Sequence, residues 1–131
     1  MPITPTGFAH VRLTVTDIDR ATTFYDQVFG LPTAVDGRDG DPEWAFGGVV
    51  YQIDEATLFG LRPVASDRFD EDSTGLDHLS LSVASKDAID DAARHLDSLG
   101  IAHEEVKDIG MGWILEFRDP DNVALELFAA K

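Results

Sequence analysis

Three side chains have the types and the settings of metal ligands: His10, His78 and Glu126. The two histidines open stretches that read alike and lie 68 residues apart, His10-Val11-Arg12-Leu13-Thr14-Val15 and His78-Leu79-Ser80-Leu81-Ser82-Val83. Each stretch leads into a helical segment, closed by Gly30-Leu31 in the first and by Gly100-Ile101 in the second. Self-similarity at a fixed spacing marks a duplicated unit. An imidazole heading both copies fits a pair of ligands; two surface histidines in matching places are the plain alternative. Glu126 stands inside the apolar run Val123-Ala124-Leu125-Glu126-Leu127-Phe128. A carboxylate there is costly to bury unless it is paired or binds a cation, although a wet strand face would also tolerate it. Two imidazoles and one carboxylate leave coordination positions open, a set that suits Fe(II) and also accepts Mn, Co, Ni or Zn. Arg12 follows His10 by two residues on the same strand face, placed either to clamp a carboxylate or phosphate or to pair with one of many acids.

The elements that carry these residues follow from periodicity. Over residues 8–16, Val11, Leu13 and Val15 alternate with His10, Arg12, Thr14 and Thr16, the pattern of a strand with one packed face. Asp17 or Asp19 caps the helix that follows, in which Ala21, Phe24, Tyr25 and Val28 recur at helical spacing and Gly30 is the stop. An irregular stretch rich in Asp and Gly (36–42) precedes strand-like runs at 44–53 and 56–62. The second copy repeats the plan: a strand at 77–84, a helix over about 86–98 capped by Ser85 and stopped by Gly100, then strands at 102–107, 112–118 and 122–129. Asp119-Pro120-Asp121-Asn122 makes the turn between the last two strands. Each half is βαβββ. The prediction is one α+β domain over 1–131, with module one about 6–62, a polar connector at 63–75 and module two about 76–129. Helices lie outside a cupped, barrel-like mixed sheet. The polar strand faces either meet solvent or line a cavity.

Composition excludes several roles. With 25 acidic residues against 10 basic, the net charge is −15, a surface that repels nucleic-acid phosphates and anionic lipids. No apolar run approaches the roughly 18 residues of a membrane span. The first residues lack both the basic patch and the apolar run of a secretory signal, so a cytoplasmic setting is expected. There is no cysteine, so any metal rests on His, Asp or Glu.

With His at the head of two βαβββ modules, Arg118-Asp119-Pro120-Asp121-Asn122 before the final strand and Glu126 on it, the chain resembles the vicinal oxygen chelate superfamily. That superfamily groups glyoxalase I, extradiol dioxygenases, bleomycin-resistance proteins and fosfomycin-modifying enzymes. The resemblance runs from His10 to Phe128. It implies a divalent metal on His10, His78 and Glu126, a small-molecule substrate and a homodimer. The activity implied is lyase, isomerase or dioxygenase chemistry on a substrate that chelates through vicinal oxygens. The alternative is a metal-free protein that sequesters a small aromatic or cationic compound, as bleomycin-resistance proteins do.

Two departures bear on the choice. Glyoxalase I carries a further Glu on the last strand of module one; aligning Asp54–Gly60 with Asp121–Leu127, an offset of 67, sets Phe59 opposite Glu126. Extradiol enzymes carry a Tyr where this chain has Glu116, and an upstream His where Lys107–Ile109 has none; His103 lies too far back and reads as structural. Glu116 is then a fourth ligand or a general base, or else a solvated strand residue paired with Arg118 or Arg12. Phe59 and Trp113, with Trp44 and Phe46, are candidate pocket walls, although aromatic residues in strands also build cores. Gly110-Met111-Gly112 reads as a mobile loop at the cavity mouth.

Overall fold

The computed structural model describes all residues, 1–131. They group into two compact units, Met1–Asp67 and Arg68–Lys131, and the division falls within the polar connector. The first unit runs β1 (His10–Thr14), α1 (Ile18–Phe29), β2 (Thr33–Asp36), a short 3-10 helix (Glu43–Ala45), β3 (Val49–Gln52) and β4 (Leu58–Arg62). The second runs β5 (Leu79–Ser82), α2 (Lys86–Ser98), β6 (Lys107–Asp108), β7 (Gly112–Arg118) and β8 (Ala124–Ala130). The predicted α+β duplication is present, as two separate four-stranded mixed sheets of identical plan, ordered β1-β4-β3-β2 and β5-β8-β7-β6. In each, the first strand lies parallel to the last and the other pairs are antiparallel. No helix is long and apolar enough to cross a membrane.

Local chemistry sets the helix ends. Asp17 caps α1 by accepting the Arg20 N–H at 3.1 Å, and Gly30 closes it in the left-handed conformation (φ 60°) that a Cβ disfavours. Ser85 caps α2 by accepting the Ala88 N–H at 3.2 Å. Each helix turns its apolar stripe to its own sheet. In the first unit, Ala21, Phe24 and Tyr25 are buried together with Leu13, Phe59 and Leu61, and the Tyr25 and Phe59 rings lie 5.2 Å apart. In the second, Ile89 and Leu96 are buried, as are Leu115, Phe117, Leu125 and Leu127.

Three stretches differ from the sequence reading. The strand expected from residue 44 starts only at Val49, because Glu43–Ala45 winds into a 3-10 turn and Phe46 and Gly47 take positive φ (52° and 76°). The apolar Trp44-Ala45-Phe46 run resembles a strand, but Pro42 and the Gly47-Gly48 pair bracket a turn. Strand β2 was not expected, since Thr33-Ala34-Val35-Asp36 carries almost no apolar alternation. The run at 102–107 makes only a bridge from His103 to Phe117 and the two-residue β6.

Both caps act on helices whose far ends are separately closed, so Asp17→Ala and Ser85→Ala are each expected to cost about 1 kcal/mol of stability. Urea unfolding followed by circular dichroism reads this; an unchanged midpoint in either variant contradicts the assignment of that cap.

Candidate metal centre

Strand register decides which side chains share a face. In the first unit His10 pairs with Leu58, Arg12 with Gly60 and Thr14 with Arg62. In the second, Ser80 pairs with Glu126 and Ser82 with Phe128, while Glu126 also pairs with Glu116 across β7. The open face of the second sheet therefore carries Ser80, Glu126 and Glu116 side by side, with His78 just ahead of β5. His78, Glu116 and Glu126 border a recess of about 330 Å³ that His103 and Arg118 also line.

His78 is held from behind. Its Nδ1 lies 2.6 Å from Asp77 Oδ1, which places the proton on Nδ1 and leaves the Nε2 lone pair facing Glu126 Oε2 at 3.5 Å. Glu126 is held in the same way: Ser80 Oγ donates to Oε1 at 2.8 Å, leaving Oε2 for the imidazole side. Two acceptors that face each other need a proton or a cation between them. The histidine pKa responds accordingly and is raised, mainly by the Asp77 hydrogen bond, against a burial effect that lowers it and with help from the Glu126, Asp77 and Glu116 charges. Ligands bonded to one ion at about 2.1 Å sit roughly 3.0–3.4 Å apart in octahedral or tetrahedral geometry. The observed separation is within a few tenths of an ångström of that range, so this pair of donors fits a divalent ion.

Glu116 stands directly across from Glu126, a like-charge arrangement that is unfavourable on its own and that a cation would relieve. Its Oε1 accepts from Lys107 Nζ at 3.2 Å. Arg118 instead forks onto Glu71 at 2.6 and 2.9 Å, drawing that carboxyl down to about 2. No three His, Asp or Glu side chains converge as a ready-made metal cluster. His10 is exposed and borders a cavity of about 260 Å³ in the first unit with Arg12, Trp44, Val50 and Gly60. The Arg12 guanidinium is held below its ordinary pKa, chiefly by burial and then by the Arg62 charge.

Two expected pocket walls lie elsewhere. Gly60, not Phe59, stands where module two has Glu126, so the offset between the final strands is 66 residues and not 67. A slip of one residue exchanges the faces of a strand. Phe59 accordingly turns inward, 2% exposed, among the rings of Tyr25 and Tyr51. Trp113 shares its face with buried Leu115 and Phe117, opposite Glu116, and Lys131 Nζ lies 5.4 Å from its ring centre. Gly110-Met111-Gly112 forms the turn between β6 and β7, with Ile109 N–H donating to the Gly112 carbonyl, and does not border the recess. The sequence reading passed over the part played by Ser80 and Asp77; each is adjacent to a predicted ligand by register or by sequence, which is the signal that identifies them.

The chain belongs to the Glyoxalase/Bleomycin resistance protein/Dioxygenase superfamily, whose family model matches residues 7–127. Among solved structures it is similar to a glyoxylase/bleomycin resistance protein/dioxygenase domain from Frankia sp. EAN1pec, at 33% identity over 98% of this chain and 94% of that one, with a TM-score of 0.82. The fold is shared with a lactoylglutathione lyase from Agrobacterium tumefaciens (22% identity, 95% and 94% covered, TM-score 0.74). It is also shared with a mutant fosfomycin resistance protein from Listeria monocytogenes, complexed with Mn(II) and 1S,2S-dihydroxypropylphosphonic acid (19% identity, 98% and 95% covered, TM-score 0.77). None of the curated proteins compared with the chain matches it.

His103 is a charged clamp beside the recess. Nδ1 lies 2.7 Å from the Glu104 carbonyl and Nε2 lies 2.7 Å from Asp97 Oδ1, so both ring nitrogens must donate. Its pKa is raised, first by the Glu104 carbonyl and then by Asp97. A raised folded-state pKa gives stability that is full below the unfolded value of about 6.5 and is lost as pH rises through the folded value. Asp97→Asn is expected to lower the His103 pKa and flatten this loss. An NMR titration of the imidazole reads it, and an unshifted titration contradicts the clamp.

Proposed function

We propose that the protein is a small-molecule enzyme of its superfamily that holds a divalent cation on His78 and Glu126, with His10 as the third ligand that the resemblance assigns. The observation that carries this reading is the facing pair Nε2 and Oε2, 3.5 Å apart, with the second atom of each group already held by Asp77 and Ser80. Groups oriented in this way lose little freedom on taking up an ion, and outer partners of this kind raise ligand basicity. Nitrogen and carboxylate donors suit Fe(II) and equally Mn(II), Co, Ni or Zn. The Mn(II) in the fosfomycin resistance protein of the same fold supports a divalent ion in this scaffold.

The substrate presents two vicinal oxygens, as a hydroxy-ketone, catechol or enediolate does, and the reaction is of the lyase, isomerase or dioxygenase kind. A bound divalent ion supplies Lewis acidity that stabilises negative charge on a substrate oxygen. The chain's own residues do the rest. Asp77 keeps the imidazole in one tautomer and Ser80 keeps Glu126 from turning. Glu116, one strand over, is the base: it takes a substrate proton on the oxygen that Lys107 does not hold. The homodimer implied by the resemblance is part of the same proposal.

Calorimetric titration of chelator-stripped protein with Mn(II) tests the reading. One ion per chain is expected, weakened about a hundredfold or more by His78→Ala or Glu126→Gln, and about 10–100-fold by Asp77→Asn. Glu116→Gln is expected to keep the ion and lose turnover. Uptake that none of these substitutions alters overturns the proposal, whereas a protein that binds no ion yet holds a cationic aromatic compound supports sequestration instead.

A further inference from the structure

The matching face of the first unit has the opposite sign. Arg12 occupies the place of Ser80, Gly60 the place of Glu126, and Arg62 the place of Phe128. Gly60 makes room for the Arg12 side chain: a Cβ there would come within 3.0 Å of Arg12 Cγ and 3.4 Å of its Cδ and Nε. The guanidinium thus fixed donates from Nη1 to the Trp44 carbonyl at 3.3 Å and from Nη2 to the Ala45 carbonyl. Backbone oxygens hold it in place, and no acid neutralises it.

Arg62 lies on the Phe46 ring, with its guanidinium carbon 4.3 Å from the ring centre. In a chain with 25 acidic residues and 10 basic, that is an unusual isolation. Arg38, Arg94 and Arg118 each reach a carboxylate; Arg12 and Arg62 reach none. The Nε of each is buried without a hydrogen-bond partner. Burying an unpaired donor of a charged group carries a penalty, and neither guanidinium has a carboxylate to offset it. A cavity of about 420 Å³ is bordered by Arg12, Thr14, Phe46 and Arg62.

We infer that Arg12 and Arg62, with Phe46 as a platform, form a binding site for the oxyanion end of a small molecule, a carboxylate or a phosphoryl group. Guanidinium forks match both shapes and make stronger hydrogen bonds to ionised acceptors than to neutral ones. Stacking on Phe46 orients the Arg62 fork and leaves its edge for the ligand. The site draws on none of the proposed metal ligands, so it stands whether or not the second unit holds an ion.

The test uses chelator-stripped full-length protein, titrated separately with inorganic phosphate and with benzoate at constant ionic strength, and follows the arginine Nε–H signals by NMR. The Arg12 and Arg62 signals are expected to shift with a saturable, one-site curve, and the tighter probe identifies the group recognised. Arg62→Met is expected to weaken that probe about tenfold or more, with its melting temperature preserved. Arg94→Met, which removes a surface arginine, is expected to leave the affinity unchanged. Should Arg62→Met not fold, Arg62→Lys keeps the charge and loses the fork, and is expected to weaken benzoate more than phosphate. Shifts that never saturate, or an affinity that neither Arg62 substitution changes, overturn the inference.

Discussion

The parallel pairing of the first and last strands within each module is the constraint on which the chemistry rests. It places the residue two positions after each repeated histidine directly beside one position of the closing strand: Arg12 by Gly60, Ser80 by Glu126. Because side chains alternate with a period of two, the pairing also determines what faces the helices. Leu13, Phe59 and Leu61 in one unit and Leu115, Leu125 and Leu127 in the other are committed to the core. A one-residue slip would bury Glu126 against α2 and expose the leucines, so the hydrophobic core enforces the register that the polar face needs.

The same frame carries two opposite charge designs. On the second sheet, acidic groups gather around one imidazole, and their mutual repulsion is tolerable because Lys107 and Arg118 stand at the margin. What distinguishes Glu126 from an ordinary surface acid is its setting: its side chain is 15% exposed, one oxygen is bound by Ser80 and the other is turned to a histidine. On the first sheet, a glycine in place of that glutamate opens the trough in which Arg12 lies. Duplication supplied the scaffold, and substitution at matched positions gave each face its sign.

Much of this was legible in the chain itself. The repeated His-x-Arg/Ser-x-Thr/Ser pattern, the helix caps Asp17 and Ser85, the stop at Gly30 and the Asp119–Asn122 turn are local signals, and each is local in cause. Strand β2 was hidden because Thr33–Asp36 has too little apolar contrast to show a period. The misplacement of Phe59 had another origin: matching Asp54 to Asp121 sets the modules one residue out of step, although the connections before β4 and β8 (53–57 and 119–123) are equal in length, and only pairing with β1 and β5 corrects it. Trp113 follows the alternation of Leu115 and Phe117, so the face it shares with them is readable in the sequence. The isolation of Arg62 could not be read at all, since it depends on where Phe46 and the 3-10 turn place themselves.

The central claim is that an acceptor pair on the second sheet is built for a cation. Substoichiometric Mn(II) added to metal-free protein, with paramagnetic broadening followed by NMR, tests it most directly. Broadening is predicted to begin at the His78 imidazole and the residues around Ser80 and Glu126, and to be complete at one equivalent. Broadening that starts instead on the exposed acids of the connector or of α2, and leaves His78 sharp, would contradict the account.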